Sequence, residues 1–241
     1  MPEMTKTGLA SEVVRVSDLP EAEIAEMFAL MERHYEAVAA DAFRADLERK
    51  DEVVMLRDGE GRLCGFTTIA WNPCGEMPEG DVIFSGDTVI AREHWGTQEL
   101  VKGFCRRAGE RKARSGRPLY WFLISKGHRT YRYLPLFAKR FHPHPEREEQ
   151  ILEDLAGKVA GGLFGDAWKA DEGVIRFPRS AGQLRRELAG VPERNMWVDF
   201  FLERNPGHAD GEELVCMAEM SAGNLRKFAL TAFREGLEGV R

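Results

Sequence analysis

The segment of this sequence best suited to chemistry is Phe84-Ser-Gly-Asp-Thr-Val89. A Ser-Gly-Asp-Thr run inside a central strand is costly unless its polar groups are paired or used. Period-two alternation puts Ser85 and Asp87 on one face and Phe84, Gly86 and Thr88 on the other. Asp87 is the leading candidate for a base or an amine anchor, with Ser85 beside it to contact substrate. Gly86 marks a bulge or the close approach of a substrate. A second group, Ser125-Lys-Gly-His-Arg-Thr130, follows an apolar strand. Strand ends in an open α/β sheet are where ligands bind. Lys126 and Arg129 suit a phosphate or carboxylate there, and His128 a proton shuttle. Trp71, Trp95 and Trp121 flank the expected cleft, with Trp121 in the wall of an apolar substrate pocket. His142-Pro-His144 and Glu146 supply two imidazoles but no third ligand nearby, so no metal is expected. No Gly-x-Ser-x-Gly, P-loop or dinucleotide fingerprint is present.

The elements that must hold these residues follow from pattern. The chain has 241 residues, 43% apolar and 31% charged, enough for one large α/β domain or a domain with an extension. Residues 12–16 read as a strand. Ile24, Met27, Phe28, Leu30 and Met31 keep a helical period, and a second helix follows near 40–50. Residues 53–57 and 63–71 form a hairpin about Asp58-Gly-Glu-Gly61. A strand at 81–90, a helix at 98–113, an apolar strand at 118–125 and a helix from Tyr131 to Arg140 come next. Beyond them the pattern predicts a helix over 146–163, a short strand at 174–177, a helix over 181–188, strands at 196–203 and 213–220, and a last helix to about 237.

Net charge is −6, but it is unevenly spread. Lys102 to Arg140 holds twelve Lys/Arg and one acid, Glu110, which offers a place for an anion. Overall acidity argues against nucleic acid, although Tyr120, Trp121, Tyr131 and Tyr133 interleave with that block. The start carries no signal-peptide core, and no apolar run is long enough to span a membrane. Four scattered cysteines without Cys-x-x-Cys suit a reducing cytoplasm.

The order of elements resembles the GNAT superfamily of acyl-coenzyme A N-acyltransferases. Four stretches carry the likeness: Val53 to Ala70, Gly86 to Leu100, Tyr120 to Ser125, and Leu134-Pro-Leu-Phe-Ala-Lys-Arg-Phe141, which is similar to the family's "LYEKLGF" segment. The resemblance implies a GNAT-like mixed central sheet flanked by helices (α/β, α+β). It would comprise a core over 1–145, an insertion or accessory lobe over 146–195, and a last strand pair plus C-terminal helix over 196–241. It implies transfer of an acyl group from a thioester, carried by coenzyme A or acyl carrier protein, to an amine of a small molecule. The family's phosphate loop, Arg/Gln-x-x-Gly-x-Gly/Ala, aligns with Trp95-Gly-Thr-Gln-Glu-Leu100, so Gly96, Thr97 and Gln98 would hold the donor. That loop is degenerate, which leaves open an altered pose, a carrier-protein donor, or a non-catalytic GNAT-like binding or regulatory module. Leu136 stands at the family's general-acid tyrosine, so Tyr133 or Tyr131 would replace it. The apolar fifth strand and the final hairpin would support a homodimer.

Overall fold

The computed structural model describes residues 8–177, 182–185 and 194–240. A nine-stranded sheet runs in the order β1-β3-β4-β5-β6-β11-β9-β8, with β7 also on β11. Its strands are β1 (Ala10–Arg15), β3 (Glu52–Arg57), β4 (Leu63–Trp71), β5 (Asp81–Ile90), β6 (Leu119–Ser125), β7 (Phe141–His142), β8 (Trp168–Lys169), β9 (Val174–Ile175) and β11 (Glu213–Glu219). Among the described residues only β5 and β6 pair in parallel. A parallel pair needs a crossover, and helix α3 (Glu99–Ser115) supplies it. A two-stranded sheet joins β2 (Tyr35–Glu36) to β10 (Gln183–Leu184).

Alternation along the strands sends side chains to two faces. Val54, Leu56, Ile83, Trp121, Leu123 and Cys216 meet α3 and the C-terminal helix α8 (Lys227–Glu238). On the other face, Val53, Met55 and Phe66 meet α1 (Glu21–His34) and α2 (Ala40–Leu47). Further along that face, Val82, Phe84, Phe122 and Val215 meet α6 (Gln150–Phe164). The described part of the 146–195 segment packs on this sheet. Its helix covers the sheet, and its strands β8 and β9 extend it. The fold is a mixed, mostly antiparallel sheet flanked by helices, the architecture expected.

Four expectations change. Residues 196–203 form a helix, α7 (Met196–Arg204), not a strand. A short apolar run interrupted by Asp199 cannot distinguish the two states. The Asn195 side chain accepts from the Trp197 and Val198 amides and so caps a helix, while Val198 and Phe201 pack inward. The final strand pair is thus the single strand β11. The helix expected from Tyr131 is two short ones, α4 (His128–Tyr131) and α5 (Tyr133–Phe137), ended by extended backbone at Ala138. Of the helix expected over 181–188, Gln183–Leu184 is strand, Gly182 and Arg185 flank it outside any helix, and 181 and 186–188 lie outside the described residues. The fifth strand, β6, lies between β5 and β11, so it cannot serve as a dimer edge.

Helices α3 and α8 cross where neither has a side chain. A Cβ on Gly109 would collide with the Phe233 carbonyl oxygen, and one on Gly236 with that of Arg106. Backbone cannot yield as a flexible side chain does, so Gly236→Ala should destabilise by about 1–3 kcal/mol despite alanine's helix preference. Gly161→Ala in α6 meets only Trp168, at 3.8 Å, and should be neutral or stabilising. Thermal unfolding of the two variants checks the contrast.

Candidate functional site

The site begins with one extra residue. Between Thr67↔Thr88 and Ile69↔Ser85 the β4–β5 register shifts, so Thr68 alone opposes Gly86 and Asp87. This bulge reverses the alternation expected for β5. Ser85 stays on the α3 face, where its Oγ accepts from Trp121 Nε1 at 2.8 Å. Asp87 moves to the Phe84 and Val89 side, and the expected partnership of Ser85 with Asp87 is lost. The bulge also coincides with a fork. Strands β5 and β6 pair from Asp81↔Leu119 only as far as Ser85↔Leu123. Beyond that point β5 stays with β4, and β6 stays with β11.

An ionisable cluster lies on the Asp87 side. Lys50 runs across Gly86. A Cβ there would lie 2.7 Å from Lys50 Cε and 2.5 Å from Thr68 Oγ1, so only glycine leaves room. The Lys50 ammonium is 5% exposed, sits 5.1 Å above the Phe84 ring and pairs with Asp46 at 2.9 Å. Lys126 pairs with Glu213 at 3.4 Å and donates to the Gly182 carbonyl at 3.0 Å. Asp87 lies within electrostatic reach of all four charges. Burial, then Asp46, push its carboxyl up to about 6 against the pull of Lys50. Burial raises Glu213 as well, against Lys126. Tyr35 completes the group. Burial and the nearby Asp87 and Glu213 push its phenol up to about 12, so it stays protonated. Tyr133 lies within electrostatic reach of Tyr35, and burial raises its phenol too.

The loop into α3 forms the other side. Gly96 turns with φ +90°, and nothing lies within 4 Å of where its Cβ would be. Thr97 Oγ1 accepts from the Glu99 amide at 3.3 Å, and Gln98 supplies no side-chain cap. The first turn of α3 thus keeps unpaired N–H groups. Glu99, an unfavourable residue beside phosphate, is neutralised by Lys102 at 2.7 Å. Trp95 spans the mouth of the fork. Its Nε1 donates to the Ile90 carbonyl at 2.8 Å, and the Arg129 guanidinium lies 5.0 Å over its ring.

The remaining expected residues are placed as follows. Tyr131 is fully buried, and its hydroxyl donates to the Pro143 carbonyl at 2.8 Å, so it is a core residue that cannot reach the fork. Trp121 is also buried, between Phe104 and Phe137, and walls the core rather than a substrate pocket. Lys126 faces a carboxylate, not a phosphate. His128 opens α4, where burial and then Arg129 and Arg132 hold it below the usual imidazole range. Leu136 is 58% exposed, so the register of the family's tyrosine points to solvent here. The basic block is largely answered by acids from other elements: Arg107 by Glu52, Arg106 by Glu235, Arg111 and Arg117 by Asp81, and Arg140 by Glu149. The cluster's other members, Tyr35, Asp46, Lys50, Thr68 and Glu213, carry no motif. Their only sequence signal is a charged or polar residue beside an apolar strand or helix end.

No protein-family model and no curated protein matches this sequence. Solved structures similar to it include a probable N-acyltransferase from Enterococcus faecalis (15% identity, 55% of this chain and 33% of that chain, TM-score 0.38). Another is a GNAT-family N-acetyltransferase from Escherichia coli in complex with CoA (13% identity, 54% and 71%, TM-score 0.38). A third is a putative acyl-CoA N-acyltransferase from Klebsiella pneumoniae (17% identity, 58% and 92%, TM-score 0.37). The chain spans about a third of the length of the Enterococcus faecalis protein. At these TM-scores the overlays add nothing to the sheet order given above.

The raised carboxyl of Asp87 has a stability signature. The native state holds a proton that the unfolded chain, at an ordinary 3.8, has released. Native protein binds more protons between about 4 and 6, so stability falls as pH rises through that window. The loss should be about 3 kcal/mol. Thermal unfolding of Asp87→Asn should lack that decline. Parallel pH profiles for the two proteins would place the raised carboxyl elsewhere.

Proposed function

We propose that the chain transfers an acyl group from a thioester, held by coenzyme A or an acyl carrier protein, to the amine of a small molecule by direct attack. One observation carries this reading: Asp87, buried and without an ion pair or hydrogen bond among the described residues, stands at a bulge where two parallel strands part. The fork offers strand backbone to a linear thioester arm, and the bulge brings Asp87 and backbone amides to its reactive end. The Gly96–Gln98 turn and the first turn of α3 receive the donor's phosphates, with Arg129 alongside. Asp87 takes one proton from the bound ammonium. The freed amine nitrogen then attacks the thioester carbonyl carbon, and backbone N–H groups at the fork stabilise the oxyanion. As the C–S bond breaks, Tyr133 gives its proton to the thiolate and recovers one from the nitrogen. The products are an amide, a thiol and one proton released through Asp87.

A non-catalytic reading is favoured by one contact, the Trp95 indole occupying the Ile90 carbonyl at the fork. Donor binding separates the two. Acetyl-, octanoyl- and palmitoyl-coenzyme A and an acylated carrier protein are titrated by calorimetry and thermal shift. At ~100-fold excess over Kd one donor should stabilise the fold by ~2.7 kcal/mol. Silence from every donor makes the binding module the better account. With an active donor, Asp87→Asn should lower kcat on the order of 10²–10⁴-fold while donor affinity is kept. Unchanged turnover removes Asp87 from the reaction.

A further inference from the structure

We propose that the acceptor side of the fork is a roofed pocket for a single cation, the primary ammonium of a compact molecule that carries no carboxylate near its nitrogen and is not a polypeptide. The fate of that ammonium rests on the acyl-transfer reading; its binding does not.

The charge balance comes first. Asp46, Asp87 and Glu213 face Lys50 and Lys126. Each lysine has its own carboxylate, Asp46 at 2.9 Å and Glu213 at 3.4 Å. Asp87 makes no ion pair or hydrogen bond among the described residues. Tyr35 and Tyr133 stay neutral. Buried charge is tolerated when compensated, and this set lacks one positive charge. A proton can supply it, and so can one ammonium. A divalent ion would bring one charge too many and meet two lysines. Beside Asp87 the hydroxyl of Thr68, 1% exposed, is also without a partner. A buried polar atom in that state is costly, so the pocket is short of hydrogen-bonding partners as well as positive charge.

The roof comes from the insertion. Residues 182–185 cross from Lys126 to the end of α1. Lys126 donates to the Gly182 carbonyl, β10 pairs with β2 as Gln183↔Glu36 and Leu184↔Tyr35, and the Arg185 amide donates to the His34 carbonyl at 2.9 Å. The Arg185 guanidinium fastens the same end through the Glu32 carbonyl at 3.1 and 3.0 Å. Gly182 has φ +71°, and a Cβ on it would lie 2.9 Å from Val38 and 3.5 Å from Tyr35. Two members of the cluster, Tyr35 and Lys126, thus hold the strap over the others. A polypeptide needs an open groove for its backbone on both sides of the reacting nitrogen, and the strap occupies one side. Entry remains past Asp46, which is 43% exposed. An α-amino acid would bring its carboxylate to a site already rich in them.

The test follows the Asp87 side-chain carboxyl by carbon NMR in the full chain, with butylammonium, norleucine and a neutral tripeptide as probes and acetyl-coenzyme A titrated separately. Saturating butylammonium should lower the Asp87 midpoint by a unit or more, and Asp87→Asn should weaken its binding at least tenfold. Norleucine and the tripeptide should bind at least tenfold more weakly than butylammonium. Arg185→Ala, which leaves the backbone pairing in place, should narrow the tripeptide's disadvantage, and Gly182→Val should narrow it further. An unmoved Asp87 midpoint, or a tripeptide that binds as well as butylammonium, overturns the proposal. Ammonium binding with no response to acetyl-coenzyme A upholds this pocket and removes the acyl-transfer reading. Acetyl-coenzyme A binding without ammonium binding does the reverse.

Discussion

One residue too many on β5 sets the geometry of everything near the fork. With two residues facing Thr68, the alternation of β5 changes hand at Gly86. Upstream, Phe84 and Ser85 keep the order required by the two cores. Downstream, Val89 returns to the α1 face, and Thr88 bonds Thr67 on the opposite one at 2.7 Å. Asp87 is the residue caught at the change. Without the bulge its carboxylate would enter the α3 core beside Trp121, where no lysine waits. With it, the carboxylate meets Lys50 and Lys126. The same irregularity coincides with the loss of the β6 pairing, so one backbone event produces both the carboxylate and the opening it faces.

Gly86 is the price of that arrangement in side-chain terms. Lys50 can lie across the strand only because no Cβ stands in its path. Its ammonium, nearly buried, is held by Asp46 and by the face of Phe84. Lys126 is held in the same manner by Glu213 and by a carbonyl of the strap. Each lysine is thereby too well satisfied to neutralise Asp87 fully, and that is why desolvation prevails over the lysines at that carboxyl. A tighter pair would leave a carboxylate too weak as a base for an ammonium proton.

Much of this fold was legible in the sequence because its signals are local. The hairpin at Asp58-Gly, the polar interruption of β5 and the apolar β6 each declare themselves within ten residues. Asp87 and Gly86 stand out as candidates this way, and so does the option of a bulge, which the β4–β5 register carries. What failed was non-local. Whether Ser85 or Phe84 shares a face with Asp87 depends on Thr68, which is distant in sequence. Tyr131 and Trp121 resemble site residues in sequence, and only the packing of Pro143, Phe104 and Phe137 shows them to be core. The stretch 196–203 is apolar enough for either state, and the cap at Asn195 decides it. Tyr35 and Glu213 lie far apart in the chain, and the fold alone brings both to Asp87.

The basic block shows how a charge run misleads, and where it does not. Read as a run, Lys102 to Arg140 is an anion site along its whole length. In the fold, most of its guanidiniums answer acids on β3, β5, α6 and α8, so they fasten elements together rather than wait for a ligand. Arg129 lies over Trp95 at the edge of the fork. Lys102 cancels Glu99 beside the open first turn of α3. The degenerate loop therefore keeps the one property an anion requires, unpaired N–H groups with a cation nearby, although only one of its glycines remains. What it loses is close backbone approach at Gln98 and Leu100. An anion held there must sit further from the strand end than a glycine-rich loop would allow, which favours a donor whose grip is shared with surfaces beyond the loop.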